Sequence, residues 1–374
     1  MKVLFIGIQN VFGNIRNGGS QCSCRNFDLV SSLAGKDNIY TAIIWNSEKN
    51  DRQCRYFRRT FNNWEAFLAS ICKCRFYMPA EEKKILTYVK EVNPDIIFLD
   101  TSFLGKIIKK VDKKTIVFFH NVEADYMWNK VKKEGMGYLP AYWATKYNEK
   151  CAMLADRVIC LNHRDSMRMK QLYGRKADFL LPITFKDNFD KNKTVSGYKR
   201  EILFLGSLFP PNENSVEWFI KEVVPKLDKV TLNIVGKDFE KRREEYEQNR
   251  NVRVIGTVDD TAIYYYNHAA VVLPIQYGAG MKVKTAEAMM YGRRIFASDE
   301  ALEGYEIDGV KGISRCNTAQ EYINAINTYF AQEEQKAYEE EVRILFLKNY
   351  ETKAVQERFS EMIDKLDNPA EESS

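Results

Sequence analysis

Short apolar runs recur along the first half of the chain, and longer segments of mixed polar and apolar residues separate them. The runs are KVLFIGI (2–8), DIIFLD (95–100), TIVFFH (115–120) and RVICLN (157–162). Continuous runs rich in β-branched residues are typical of parallel strands, because helices cover both faces of such a sheet. After the first run, a glycine turn at 17–20 precedes a predicted helix that ends at about Leu33.

The same pattern restarts after residues 184–200, a polar stretch without periodicity that we interpret as a linker. The second set of runs is EILFLGS (201–207), TLNIVGK (231–237), NVRVIGT (251–257), AAVVLPI (269–275) and RRIFASD (293–299). Strands that alternate with helices predict doubly wound α/β domains. We expect two Rossmann-like domains facing a cleft: residues 1–183, completed by an amphipathic C-terminal helix within 351–374, and residues 184–350.

Composition narrows the class of protein. A chain of 374 residues suits two domains of about 150–200 residues each. The net charge of +5 does not imply nucleic-acid binding, and no apolar window approaches the roughly 18–20 residues of a spanning helix. Eight cysteines without a signal peptide predict reduced thiols in a cytosol. The C-x-C pairs, Cys22/Cys24 and Cys72/Cys74, lack the usual zinc spacing, so we expect no metal site.

Three glycine turns follow predicted strands of the second half, where α/β sheets bind phosphates at helix N-termini. They are LGSLFPPNENSVEWF (205–219), VGK (235–237) and GAGMKVKTAEAMMYG (278–292). Each turn alone is commonly structural. A helix starting near Lys282 would direct its free N–H groups above Gly278–Gly280. Glu287 lies deeper in that helix. Its carboxylate can accept hydrogen bonds from two ribose hydroxyls or, alternatively, form an ion pair with Lys284.

These motifs together resemble the nucleotide-binding half of a retaining glycosyltransferase of the GT-B fold, in glycosyltransferase family four. The likeness rests on FLGSLFPPNENSVEWFIKEVVPKL, NIVGKD, and the segment from VIGTVDD to EALEGYE. In the N-terminal half, NGGSQCSCRNFDLVSSLAG resembles the glycine-rich acceptor-side loop, and FFHNVEADY resembles the histidine-bearing loop. The resemblance covers nearly the whole chain and implies retention of anomeric configuration.

The resemblance also implies residue roles. Glu287 would hold the ribose, the N–H groups of Gly280 and Met281 would meet the diphosphate, and His120 would touch the donor sugar. The alternative for His120 is a turn histidine bonded to its own loop. The remaining donor-binding candidates are Gly18, Gly19, Gly206, Ser207, Asn212, Gly236, Val258 and Gly278.

Two departures from the family pattern concern charge. The family's acid eight residues before Glu287 is Ala279 here, and its arginine after the first glycine turn is Ser207. Cleavage of the anomeric bond builds negative charge on the diphosphate, which fixed cations stabilise. Lys282 and Lys284 are therefore candidate catalytic replacements. Their side chains diverge by about 200° at a helix start, so we expect one to face the phosphate and favour Lys282, which is nearer the turn.

Residues 52–77 combine basic and aromatic side chains. Phe57, Phe61, Trp64, Leu68 and Ile71 have helical spacing, and the basic residues Arg55, Arg58 and Arg59 lie largely off that stripe. A basic amphipathic helix with aromatics suits an anionic membrane surface. The alternative is an ordinary helix packed on the N-terminal sheet, and nothing else in the sequence supports RNA binding.

The sequence thus predicts a metal-independent glycosyltransferase without a cofactor other than its nucleotide-sugar donor. Its expected acceptor is a surface polysaccharide or a polyprenyl-linked glycan. We expect a cytoplasmic protein, peripheral to the inner face of the plasma membrane, that binds no nucleic acid. The alternatives are a catalytically silent GT-B homologue that binds a sugar nucleotide or a partner, and a GT-B sugar-nucleotide epimerase.

Overall fold

The computed structural model describes residues 1–13, 18–47, 51, 53–60, 62–195, 197–278 and 280–367. The chain divides into two compact units, one formed by Met1–Pro182 with Gln356–Ser374 and the other by Ile183–Val355. Across the described ranges, no helix has both the length and the apolar character that crossing a bilayer requires.

The sheet of the N-terminal unit is parallel throughout its described strands. These are β1 (Val3–Gly7), β2 (Ile39–Ile44), β3 (Cys54–Phe57), β4 (Ile96–Leu99), β5 (Lys114–Phe119), β6 (Arg157–Cys160) and β7 (Phe179–Leu180), in the order β3-β2-β1-β4-β5-β6-β7. The order reverses at β1, where Val3 pairs with Ile39 on one side and with Ile96 on the other. Such a switch point opens a crevice at the carboxyl ends of the strands.

Helices connect these strands, as buried parallel pairing requires. They are α1 (Gly18–Ala34), α2 (Asn63–Ile71), α3 (Pro79–Val92), α4 (Glu123–Glu134), α5 (Leu139–Ala152) and α6 (His163–Tyr173), with 3-10 turns at Ser102–Lys110 and Met136–Tyr138. The core lies between these helices and the sheet, where Leu4, Ile97 and Val117 are fully buried.

The C-terminal unit repeats this plan with β8 (Glu201–Leu205), β9 (Thr231–Val235), β10 (Val252–Gly256), β11 (Ala270–Leu273), β12 (Arg294–Ala297) and β13 (Ile313–Arg315). The order is β10-β9-β8-β11-β12-β13, so the switch point lies between β8 and β11. The helices are α7 (Pro210–Glu222), α8 (Arg243–Tyr246), α9 (Ala262–Asn267), α10 (Val283–Met290), α11 (Ala319–Phe330), α12 (Glu340–Asn349) and α13 (Thr352–Asp367), with 3-10 turns at Lys191–Lys193, Val224–Lys226 and Phe239–Arg242. α13 crosses the boundary between the units.

The predicted α/β class with two Rossmann-like sheets is confirmed, and each apolar run named above contains a strand. Four strands, β2, β3, β7 and β13, were not predicted. β3, β7 and β13 are short edge strands, and β2 interrupts its apolar residues with Tyr40 and Thr41. Strands of this kind lack the continuous apolar run that marks a strand buried on both faces.

The predicted amphipathic helix over 52–77 is wrong. Cys54–Phe57 instead forms β3, which pairs in parallel with β2 and buries both of its end residues. Helix α2 begins only at Asn63, because the side chain of Asn62 accepts a hydrogen bond from the Glu65 N–H and caps the helix there. Phe61, a member of the predicted stripe, lies outside the described residues.

Candidate functional site

The first glycine turn of the C-terminal unit lies between β8 and α7. A Cβ on Gly206 would stand 2.7 Å from Asn212 Nδ2 and 2.9 Å from Lys284 Nζ, so the turn has little room for a side chain. Asn212 is buried, and its Nδ2 donates to the Ser207 carbonyl at 2.7 Å, while Ser207 itself is exposed. The buried side-chain amide of Asn212 therefore stabilises the Gly206 turn through this hydrogen bond.

The second turn, at Gly236 after β9, packs directly on the first. Gly236 has a φ of +140°, and a Cβ built there would lie 1.8 Å from the carbonyl oxygen of Gly206. The two strand ends meet backbone to backbone, which a glycine alone permits. This contact fixes the position of the Gly206 turn.

We expect Gly236→Ala to destabilise the C-terminal unit by about 3 kcal/mol or more, because strained φ and a backbone clash act together. Thermal unfolding should show a loss of roughly 6–12 °C. Gly309→Ala is the matched control, since Gly309 has a φ of +78° but nothing within 4 Å of its added Cβ. Equal losses for both variants would contradict the close approach of the two turns.

The third turn leads into α10. Gly280 has a φ of +67°, Met281 is buried, and Lys282 occupies the N-cap without a side-chain capping bond. The first N–H groups of α10 are thus not satisfied by a cap side chain. Lys282 Nζ donates to the Gly280 carbonyl at 2.8 Å and to Glu300 Oε1 at 2.7 Å, so its charge is neutralised beside the turn. Ala279, the position of the family acid, lies outside the described residues.

Lys284 points to the first turn instead. Its Nζ donates to Asn212 Oδ1 at 2.6 Å and lies 4.6 Å from the centre of the Phe204 ring. Burial lowers the pKa of Lys284 to about 7, and nearby Lys282 adds to the effect while Glu287 opposes it. Among the described residues its hydrogen-bond partner is a neutral amide, whereas Lys282 faces a carboxylate. Lys284 therefore places its side-chain nitrogen at the Gly206 turn, next to Ser207, the position at which the resemblance expects an arginine.

Glu287 lies one turn further along α10. Tyr265 Oη donates to its Oε2 at 3.3 Å. Burial raises the pKa of Glu287, although Tyr265 and Lys284 act in the opposite direction. The alternative ion pair with Lys284 does not form within 4 Å among the described residues, so a tyrosine rather than a lysine orients this carboxylate.

The structure thus groups the candidates of the C-terminal unit into two clusters. Gly206, Ser207, Asn212, Gly236 and Lys284 meet at the end of β8, and Gly278, Gly280, Met281 and Lys282 form the turn before α10. Val258 follows β10, two strands away from β8.

Sequence reasoning missed two partners in this region. Glu300 follows β12, and Tyr265 lies within a run of three tyrosines on α9. The acid directly after a predicted strand was the available indication for Glu300.

In the N-terminal unit, His120 follows β5 and contacts the end of β4. Its Nε2 donates to the Asp100 carbonyl at 2.8 Å and lies 3.5 Å from Asp100 Oδ1. The alternative of a histidine bonded to its own loop is therefore wrong. Gly18 and Gly19 open α1, whose Asn26 donates from Nδ2 to Asp100 Oδ1 at 2.6 Å.

The predicted membrane residues are dispersed. Arg55 lies on β3 and pairs with Glu91 at 2.7 Å, and Arg58 pairs with Glu65 at 2.6 Å. Arg59 donates to the Ile8 carbonyl and lies over the Phe76 ring, 4.7 Å from its centre. These three arginines contact their own unit, although Arg55 and Arg58 are also exposed to solvent, and Trp64 is 67% exposed.

Comparisons with known proteins concern the family and the fold of the chain. Residues 199–332 match the family model described as Glycosyl transferases group 1, and no curated protein sequence matched the chain.

Three solved structures have similar folds. Anabaena HepE in complex with UDP is 14% identical, with a TM-score of 0.67 over 98% of this chain and 100% of that one. Sucrose-phosphate synthase from Thermosynechococcus elongatus is 14% identical, with a TM-score of 0.67 over 99% and 100%. The lipopolysaccharide outer core galactosyltransferase WaaB is 17% identical, with a TM-score of 0.65 over 98% and 99%. The chain therefore has the GT-B fold, its residues 199–332 are similar to the Glycosyl transferases group 1 family, and it is a glycosyltransferase.

Proposed function

We propose that this glycosyltransferase moves a sugar from a nucleotide-sugar donor to a surface polysaccharide or a polyprenyl-linked glycan, with retention of configuration. The observation that carries the proposal is the meeting of Lys284 with the Gly206 turn at the switch point between β8 and β11. Open α/β sheets bind ligands at this position. The UDP found in the complex of Anabaena HepE supports a nucleoside diphosphate as the ligand.

In this proposal the C-terminal unit holds the nucleotide. The diphosphate lies against the glycine turns and the N-terminus of α10, where backbone N–H groups and Lys284 offset the negative charge that builds on the leaving group. The Glu287 carboxylate accepts hydrogen bonds from the ribose hydroxyls, and the Tyr265 hydroxyl orients this carboxylate. These protein groups supply the charge stabilisation that a metal ion would otherwise provide, so we propose a metal-independent reaction with no cofactor besides the donor.

The N-terminal unit is proposed to serve the sugar and the acceptor. The resemblance assigns His120 to the donor sugar, and Asp100 fixes the orientation of its ring. All eight cysteines are free thiols, in keeping with a cytosolic protein.

A panel of UDP-, GDP- and dTDP-sugars tests the proposal through slow release of the free nucleotide. Thermal stabilisation by a nucleotide without turnover, with or without a lipid acceptor, would favour the silent homologue. Interconversion of the sugar on its nucleotide would favour the epimerase. If no nucleotide stabilised the protein, the proposal would be wrong.

We also propose that the N-terminal unit contacts an anionic membrane through α2, α4 and α5 rather than through residues 52–77 as a whole. α5 packs against both α2 and α4, so the three helices form one layer. Exposed aromatic residues occur on each helix, including Trp64, Trp128 and Trp143, the last of which is 56% exposed. Lys132 lies 5.7 Å from the Trp128 ring centre, and Lys146 lies 5.7 Å from that of Trp143. Indoles beside lysines suit the interface of an anionic bilayer.

Replacing Trp64 and Trp143 together by Ser should weaken binding to phosphatidylglycerol-containing vesicles by about 30- to 1000-fold, because partial burial of each of the two indoles contributes about 1–2 kcal/mol. Co-sedimentation measures the effect. Ile263→Ser is the control, since Ile263 is 55% exposed on the C-terminal unit. If Ile263→Ser weakened vesicle binding equally, or if the double variant bound vesicles as well as the unchanged protein, the proposed membrane contact through α2, α4 and α5 would be wrong.

A further inference from the structure

A second cluster of reactive groups lies at the switch point of the N-terminal unit. Cys22 and Arg25 are on α1, Asp100 follows β4, and His120 follows β5. Arg25 Nη2 lies 3.2 Å from Cys22 Sγ, and the His120 imidazole interacts electrostatically with the same thiol. The thiol therefore has two cationic or potentially cationic neighbours.

Each member of the cluster is held in place. The Arg25 guanidinium also donates to the Pro182 carbonyl and lies over the Phe118 ring, 5.6 Å from its centre. His120 Nε2 donates to the Asp100 carbonyl at 2.8 Å, so this nitrogen carries a proton. The imidazole and the guanidinium thus stay beside the sulfur.

The charges favour an ionised thiol. Burial by itself raises the pKa of Cys22, and Asp100 acts in the same direction, but Arg25 and His120 outweigh both and lower the pKa below its ordinary value. Burial lowers the pKa of His120, yet Cys22 and Asp100 raise it well above its ordinary value. Both shifts favour the thiolate form of Cys22 and the imidazolium form of His120, and the thiolate is the form in which a cysteine is nucleophilic.

An unsatisfied polar atom provides independent support for a binding site. Asp100 is 1% exposed, and its Oδ2 has no hydrogen-bond partner among the described residues. A buried carboxylate oxygen without a partner carries a desolvation penalty that a donor on a bound ligand would relieve. Cys22 is partly exposed, and the His120 side chain remains 16% exposed, so small molecules can reach the cluster.

We propose that Cys22 is a modification site that reacts with low-molecular-weight disulfides, and that the resulting mixed disulfide blocks the site around His120. The Cys22 thiolate attacks one sulfur of the disulfide, a new S–S bond forms, and the S–S bond of the reagent breaks. The other half leaves as a thiolate that takes a proton from water. A thiol reductant reverses the exchange.

Alkylation by iodoacetamide tests the reactivity without reference to glycosyl transfer. Peptide mass mapping between pH 5.5 and 9 should show Cys22 reacting about tenfold faster than Cys72 at pH 6.5, because its lowered pKa increases the fraction of Cys22 that is thiolate. Cys72 is an exposed cysteine, so access does not explain the difference. Arg25→Gln should remove most of the advantage, and His120→Gln should do the same. Reaction of Cys22 no faster than Cys72, or no effect of either variant, would overturn the proposal.

Oxidised glutathione tests whether a mixed disulfide on Cys22 blocks the site around His120, a consequence that rests on the proposed function. Its adduct should abolish nucleotide release from the donor sugar, while UDP should still stabilise the C-terminal unit, and dithiothreitol should restore activity. Cys22→Ser should form no adduct at this position and retain whatever activity it has in the presence of the reagent. An adduct on Cys22 that leaves activity unchanged would overturn the blocking role. If the unmodified protein released no nucleotide from any donor, the proposed function would fail while the alkylation result still stood.

Discussion

Replacing Lys284 by Met should lower turnover of the nucleotide sugar by about 100- to 1000-fold, the usual cost of removing one preorganised group from a developing anion. Lys284 Nζ is fixed beside the Gly206 turn by its 2.6 Å bond to Asn212 Oδ1. Met matches the length of the aliphatic stem and keeps the packing over Phe204, so the fold should persist. Release of the free nucleotide from its sugar measures the effect.

The pH profile separates a charge effect from a packing effect. The pKa of Lys284 in the free protein is about 7, so its ammonium is lost as the pH rises through that value. Accordingly kcat/KM, which reports the free enzyme, should fall above about pH 7. A bound diphosphate stabilises the ammonium of Lys284, so kcat, which reports the enzyme–substrate complex, should begin to fall only at higher pH. The Lys284→Met variant should show neither the fall in kcat/KM nor the fall in kcat.

Lys282→Met is the matched comparison on the same turn. Because Glu300 already neutralises Lys282 at 2.7 Å, we expect a loss of about tenfold or less, arising from a displaced Gly280 loop. A larger loss for Lys282→Met than for Lys284→Met would assign the phosphate to Lys282, as the order along the sequence predicts. An unchanged basic limb in Lys284→Met would also contradict the role proposed for Lys284.

Glu287→Ala should weaken nucleotide binding by about 10- to 100-fold, since hydrogen bonds to a charged group contribute about 1.5–3 kcal/mol. The carboxylate is oriented by Tyr265 Oη at 3.3 Å, and it is partly buried on α10. Isothermal titration with UDP measures the change. The rate of the bound complex should fall less than the affinity, because ribose contacts are made before and during the reaction.

A comparison with 2′-deoxy-UDP assigns the contact to the ribose. If Glu287 binds the ribose hydroxyls, then Glu287→Ala and the removal of the 2′-hydroxyl from UDP delete the same interaction. The two losses of binding free energy should therefore not add. Tyr265→Phe is the control, because it keeps the carboxylate and removes one hydrogen bond, with an expected cost of about 1 kcal/mol. Additive losses for Glu287→Ala and the deoxyribose would instead indicate a structural role for the carboxylate.

Much of the fold was predictable because the central strands are buried on both faces. The run that forms β1 is apolar at all five positions, and all five are buried. The helix over 52–77 was mispredicted because Phe57, Trp64, Leu68 and Ile71 have helical spacing by coincidence. Phe57 belongs to β3, and the capping residue Asn62 separates it from α2. Spacing alone does not distinguish one helix from a strand followed by a shorter helix.

The candidate site was predictable in its glycines and less so in its charges. Gly206, Gly236 and Gly280 follow strands in the sequence, and the structure gives a close backbone approach or a positive φ to each of the last two. The choice between Lys282 and Lys284 depended on partners elsewhere in the chain. Asn212 is 72 residues from Lys284, and Glu300 is 18 residues from Lys282.

The sequence by itself determined the two Rossmann-like sheets, the turns at their strand ends and the carboxylate on α10, because local periodicity records burial and turn chemistry. Only the tertiary structure decided which lysine contacts a neutral amide and which pairs with a carboxylate. It also brought Cys22, Arg25, Asp100 and His120 together from three separate segments. The physical reason is that charge and pKa depend on neighbours in space, and the parallel order of the strands determines those neighbours.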